Sequence, residues 1–158
     1  NGTEFGLTAG IVTTSLAAAM VLHDRSRVRV VVTGGVLDGP SCSLVGEMVA
    51  ETLDRFHFTR AFISCQGIDV VRGLSVTADE QAGIKRRMIG LADESVLLAD
   101  SSKFGVKAVE FFAKVGDVDT IITDRGLDAA TRIKLERAGA SVEIARPRGT
   151  ARRAGGQR

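Results

Sequence analysis

At 158 residues, with 44% hydrophobic and 25% charged residues, the chain has the size and composition of one globular domain with a real core. No apolar run is long enough to span a bilayer, the N-terminus carries no signal-peptide pattern, and two cysteines, Cys42 and Cys65, make no disulfide framework. The net charge of +2 hides a split: Arg146 to Arg158 holds five arginines and no acid, and removing them leaves −3, a poor electrostatic match for duplex DNA.

In chain order, Glu4 to Thr8 reads as a short first strand, followed by a turn with Gly10 and Thr13-Thr14 and a helix rich in Ala and Leu to about His23. Arg27 to Thr33 is predicted as a strand, because Val28, Val30, Val31 and Val32 are β-branched and Gly34-Gly35 stops the run. Leu44, Val45, Met48, Val49 and Leu53 recur at helical spacing, which predicts a helix from about Ser43 to Asp54. Thr59 to Cys65 is the next strand, with Cys65 a small residue at its buried end. Gly67 to Leu74 reads as loop. Thr77 stands three residues before Glu80, a capping-box pattern that predicts a helix opening there and running to about Ala92. Ser95 to Asp100 is a nearly continuous apolar strand, as buried parallel strands are. Val106 to Phe112 fits either a short helix or an extended crossing segment. Thr120 to Thr123 is a strand, Asp128 to Ala138 a helix stopped by Gly139, and Ser141 to Ala145 a last strand. Strands that alternate with helices predict an α/β fold with a doubly wound, mostly parallel sheet. The domain is expected to cover residues 1–145, and the Arg-, Gly- and Ala-rich residues 146–158 to be a disordered basic tail.

Polar groups gather at the turns of this pattern, and α/β sheets bind ligands at the carboxyl ends of their strands. Thr13 and Thr14 open a helix after a glycine turn, where free N–H groups and hydroxyls suit a phosphate; ordinary capping is the alternative. Gly34-Gly35 with Ser43 offers a second such loop, or a plain strand-to-helix turn. Asp69, beyond a strand end, suits sugar hydroxyls or simply forms a turn. Glu80 is a weaker candidate, since the capping box accounts for it. Lys103 follows Asp100-Ser101-Ser102 at a strand end, where an ammonium would neutralise an anionic ligand and Asp100 could orient it or cap the next turn. Two histidines and no Cys-x-x-Cys predict no metal site, and no cofactor is expected.

The ordered set of motifs resembles a family. Leu7-Thr8-Ala9-Gly10 with Thr13-Thr14, Thr33-Gly34-Gly35 with Ser43 and Gly46, Gly67-Ile68-Asp69, Arg72-Gly73-Leu74, the acidic helix start running into Lys85-Arg86-Arg87, and Asp100-Ser101-Ser102-Lys103-Phe104-Gly105 together are similar to the effector-binding domain of DeoR-family bacterial transcriptional regulators, from about Phe5 to Ala145. The resemblance implies a fold like that of ribose-5-phosphate isomerase, a phosphorylated sugar as effector, a dimer or tetramer, a cytoplasmic repressor of sugar metabolism, and Lys85 as a further ligand residue. It also implies that operator DNA is bound through an N-terminal winged-helix module absent from this chain. Family members carry one more strand, with a Thr-Asn turn, before the strand that runs into Gly-Gly. Here Ala17-Ala18-Ala19-Met20 passes straight into Val21-Leu22-His23, as a deletion or, more in keeping with an intact core, a segment missing from the numbering. The competing class is an active sugar-phosphate isomerase. In those relatives a Glu directly precedes the lysine matching Lys85, whereas this chain has Ile84, which cannot take a proton; no catalytic residue is therefore expected, unless Glu80 substitutes.

Overall fold

The computed structural model describes residues 31–39 and 41–145. The predicted first strand and first helix, Thr13, Thr14, the Ala17–Met20 junction, most of the Arg27–Thr33 strand and the tail from Arg146 lie outside these residues. Its centre is a four-stranded parallel sheet of β3 (Phe58–Ile63), β6 (Ala92–Leu98), β8 (Thr120–Thr123) and β9 (Ser141–Ile144), in that spatial order. Ile63, Leu97, Ile121 and Val142 stand level across it and are all buried, so one face forms a continuous apolar layer. Among these four strands spatial order follows chain order, so the reversal that defines double winding is not located among them.

Two smaller sheets flank the central one. β4 (Gly67–Asp69), β5 (Gly73–Val76) and β7 (Glu110–Ala113) form an antiparallel sheet, and β1 (Val36–Asp38) pairs with β2 (Ser43–Val45) as a hairpin. The expected mostly parallel sheet is therefore correct for the central strands and incomplete for the rest. Val106 to Phe112, open between helix and extended chain, ends in β7, which pairs with β5. Ser75 ties this region together, donating its hydroxyl to the Gly67 carbonyl at 3.2 Å and accepting from the Ala108 N–H at 3.0 Å.

Three α-helices complete the described residues: α1 (Glu47–Leu53), α2 (Asp79–Gly90) and α3 (Ala129–Arg137). The helix predicted from Ser43 starts only at Glu47. Leu44 and Val45 pair with Leu37 and Val36 instead, and Gly46, at φ +100, breaks the chain direction between strand and helix. α1 buries Val49 and Leu53, and α2 buries Ala82, Ile84 and Met88. The expected Thr77–Glu80 capping box is absent, because the residue at the helix start is Ala78 and no side chain caps it; Glu80 is exposed in the first turn. α3 matches its prediction: the Asp128 carboxylate accepts from the Thr131 N–H at 2.9 Å, and Gly139 stands just past the end. None of these helices is long and apolar enough to cross a membrane.

Candidate functional site

The loops leaving the carboxyl ends of β3, β6 and β8 meet at one rim of the parallel sheet. After β6 the chain makes a single 3-10 turn, Ser101–Lys103, held by Asp100, which accepts from the Ser102 N–H at 2.9 Å and from the Ser102 hydroxyl. After β8, Asp124 reaches across and accepts from the Ser101 N–H at 2.8 Å and its own loop's Gly126 N–H at 2.7 Å. The two loops are thereby locked together, so closely that a Cβ on Gly126 would run into the Ser101 hydroxyl. Phe104 and Gly105 extend the arrangement to the antiparallel sheet, Gly105 donating its N–H to the Ile68 carbonyl at 2.8 Å.

These hydrogen bonds fix the state of the acids. The Ser102 hydroxyl and N–H hold the Asp100 carboxyl below the usual carboxylate range, and the Ser101 and Gly126 N–H groups do the same for Asp124. Both are stabilised as carboxylates, and each accepts two hydrogen bonds from the loops it holds. A proton shuttle needs a pKa near the working pH, so neither is suited to general acid–base work.

The bases are in the opposite condition. Lys85, half-buried on α2, and Lys103, half-buried at the end of the 3-10 turn, both act electrostatically on Cys65, the buried thiol just past β3. Burial nevertheless pushes the Cys65 thiol up to about 11, which leaves it protonated and inert near neutrality. Burial also pushes the Lys85 ammonium below its ordinary range. Among the described residues neither lysine forms a salt bridge, although Lys103 acts electrostatically on Asp100; Lys107 pairs with Asp69 at 3.1 Å, and Arg87, Arg60, Arg86 and Arg132 pair with Asp54, Glu94, Glu110 and Glu136. Two ammonium groups that form no direct ion pair at this rim leave their N–H donors free for an external anion.

The structure brings Lys85, Asp100 and Lys103 together around Cys65. It places the other candidates elsewhere. Asp69 sits at the tip of the β4–β5 hairpin, where it accepts from the Val71 and Arg72 N–H groups at 3.0 and 2.7 Å and pairs with Lys107; its oxygens serve the turn. Gly34 and Gly35 lead into β1 and pack on α1 beside Met48 and Val49, and Ser43 lies in β2 with its hydroxyl donating to the Ser41 carbonyl at 3.4 Å. No helix starts at Ser43, so the predicted glycine loop opening into a helix there is not formed. Sequence reasoning passed over Thr123, Asp124 and Gly126. A Thr-Asp pair ending an apolar strand just before a helix was the available signal, since it marks the same carboxyl rim.

Residues 6–125 match the DeoR C terminal sensor domain family. The chain is 39% identical to the uncharacterized HTH-type transcriptional regulator YulB of Bacillus subtilis over 126 residues, which is 80% of this chain and 49% of that protein. It is 32% identical to the HTH-type transcriptional repressor GlcR of Bacillus subtilis, covering 85% of this chain and 52% of GlcR. It is also 32% identical to the L-fucose operon activator of Haemophilus influenzae, covering 74% and 47% respectively. The chain thus spans about half the length of these curated relatives.

Proposed function

The chain belongs to the DeoR sensor-domain family, and from that premise we propose that it is the effector-sensing part of a transcriptional repressor of sugar metabolism, with a phosphorylated sugar as its effector. The observation that carries this reading is the pair Lys85 and Lys103 at the strand-end rim, neither of them in a salt bridge among the described residues. An oxyanion placed between them accepts the hydrogen bonds that no carboxylate of the described residues takes. Asp100 and Asp124 shape the loops around it, and Thr13 and Thr14 are retained as candidates for the phosphate.

Operator DNA is bound, on this reading, through a part of the cytoplasmic regulator that this chain does not include, and the sensor domain assembles as a dimer or tetramer. The effector alters operator affinity by favouring one arrangement of that assembly; a coupling of about 1–3 kcal/mol gives a 5–150-fold change. The domain binds its sugar phosphate without converting it. Ile84 is buried in the core where an isomerase would need its base, and the rim acids are held as carboxylates. Gly34, Gly35, Ser43, Asp69 and Glu80 contribute through the loops and helix they build, with direct ligand contact assigned first to the two lysines.

The test is a thermal-melt panel of sugar phosphates against the corresponding free sugars. A phosphate-dependent rise in the melting point, lost in Lys103→Ala, is the expected result. Equal shifts by free sugars would refute the anion-anchored site.

A further inference from the structure

Among the described residues, only two buried side-chain polar atoms lack a hydrogen-bond partner, the Thr123 Oγ1 and the Gln66 Oε1. Both belong to the loops or strand ends at the carboxyl rim: Gln66 follows Cys65 after β3, and Thr123 ends β8 directly before Asp124. A buried hydroxyl or amide oxygen without a partner costs about 1–3 kcal/mol, so two of them at one edge need an explanation.

The sheet register locates Thr123. Ile63, Leu97 and Ile121 stand level on the buried face, and the next residues on that face are Cys65, Ala99 and Thr123, each two positions further on. The alternation continues past the named strands: Ser64 is exposed and Cys65 buried, and the Ala99 N–H donates to the Ile122 carbonyl at 3.1 Å. The rim row therefore reads thiol, methyl, hydroxyl. Lys85 from α2 stands near its thiol end. Ala99, with its single methyl, leaves the middle of the row low, and Thr123 closes the far end. Strand spacing of about 4.8 Å puts the two ends roughly 10 Å apart.

We propose that Thr123, on the same face as Cys65, is the specificity-determining residue of this site, reading a hydroxyl of a ligand whose anionic end is held by Lys85 and Lys103; the same alternation turns Gln66 to the other face. The inference rests on the anion-sensing function proposed above. The chemistry is complementary: the Thr123 hydroxyl both donates and accepts, so it pairs with a ligand hydroxyl in either role. A bare phosphate has no sugar hydroxyl to satisfy it. A site built to hydrogen-bond a hydroxyl discriminates strongly against ligands lacking it, because its own polar atoms then remain unpaired.

Calorimetric titration of the 158-residue protein with inorganic phosphate, glycerol 3-phosphate, ribose 5-phosphate, glucose 6-phosphate and fructose 6-phosphate tests this. Wild type is expected to bind at least one sugar phosphate more tightly than inorganic phosphate. Thr123→Val, nearly isosteric, should reduce that preference roughly tenfold, leave inorganic phosphate affinity unchanged and melt no lower than wild type, since it removes an unpaired buried hydroxyl. Thr123→Ser should restore the preference. Lys103→Ala should weaken inorganic phosphate and sugar phosphates alike. If Thr123→Val keeps the wild-type preference, the inference fails while the anion site stands. If wild type favours no sugar phosphate over inorganic phosphate, the hydroxyl reading fails at once. If it binds none of the panel, the proposed sensing function falls with it.

Discussion

Lys85→Met separates a ligand-binding lysine from a structural one. Methionine keeps the length and the apolar stem of the side chain while removing an ammonium that burial disfavours and that no acid among the described residues compensates. The unliganded protein should therefore be as stable as wild type or slightly more so, the reverse of what loss of a buried ion pair would do. The liganded protein should suffer. A charge-assisted hydrogen bond contributes about 1.5–3 kcal/mol, so affinity for the sugar phosphate should fall by roughly 10- to 150-fold. At a ligand concentration 100 times the wild-type Kd, wild type gains about 2.7 kcal/mol, and the variant should gain about 0.3–1.3 kcal/mol at the same concentration. With each kcal/mol worth about 2–4 °C in a chain of this length, the ligand-induced shift should drop from about 5–10 °C to about 1–5 °C. Differential scanning calorimetry with and without ligand measures both halves. A variant that melts several degrees below wild type without ligand, yet shifts fully with it, would refute the reasoning, since Lys85 would then be holding the fold and not the anion.

Other perturbations follow from the same geometry. Gly126→Ala forces a methyl into the Ser101 hydroxyl, so it should cost about 1–3 kcal/mol and blunt the ligand response together, read from paired melts. Leu97→Ala removes a fully buried side chain from the middle of the parallel sheet and should destabilise by about 2–5 kcal/mol in urea titration; a smaller loss would mean the centre of the core is misplaced. Cys42 is exposed and Cys65 buried with a thiol pushed up to about 11, so a chromogenic thiol reagent at pH 8 should label one cysteine in the native protein and the second only after denaturation. Because the folded Cys65 thiol titrates at about 11 against 9.0 when unfolded, the folded state holds its proton longer; that contribution to stability is intact below pH 9 and lost by about pH 11, and Cys65→Ala should remove it from the alkaline melting curve. Asp119 has the opposite sign. Hydrogen bonds from the Ser95 N–H and hydroxyl lower its pKa below 3.8, so the stability it contributes is present above that pH and lost as pH falls through the lower value, and Asp119→Asn should flatten the acid limb.

Local pattern determined the parts of this protein whose pattern is long enough to be read. β8 and the apolar second half of β6 were legible in isolation, as was α3 with its own cap in Asp128 and its own stop in Gly139, whereas the polar start of β6 at Ala92–Glu94 lay outside the predicted strand from Ser95. The order of short motifs likewise pointed to the family that the comparisons established. Lys103 was visible as a candidate because it follows a strand end, whereas Lys85, in mid-helix, became one only through the family resemblance. Tertiary structure decided the rest. β1, β2, β4 and β5 have three or four residues each, too few to display a period, and exist because distant partners complete their ladders. Leu44 and Val45 illustrate this: their spacing fits a helix with Met48 and Val49, but pairing with Leu37 and Val36 takes them into a strand. The same holds for the chemistry. Asp69 and Asp100 are committed by N–H groups two or three residues on, which local turns can supply, but Asp124 is committed by the Ser101 N–H far away in the chain, while the Thr123 Oγ1 and Gln66 Oε1 remain unpaired because no donor or acceptor of the described residues reaches them. Long-range satisfaction of this kind appears only once the strands are laid side by side.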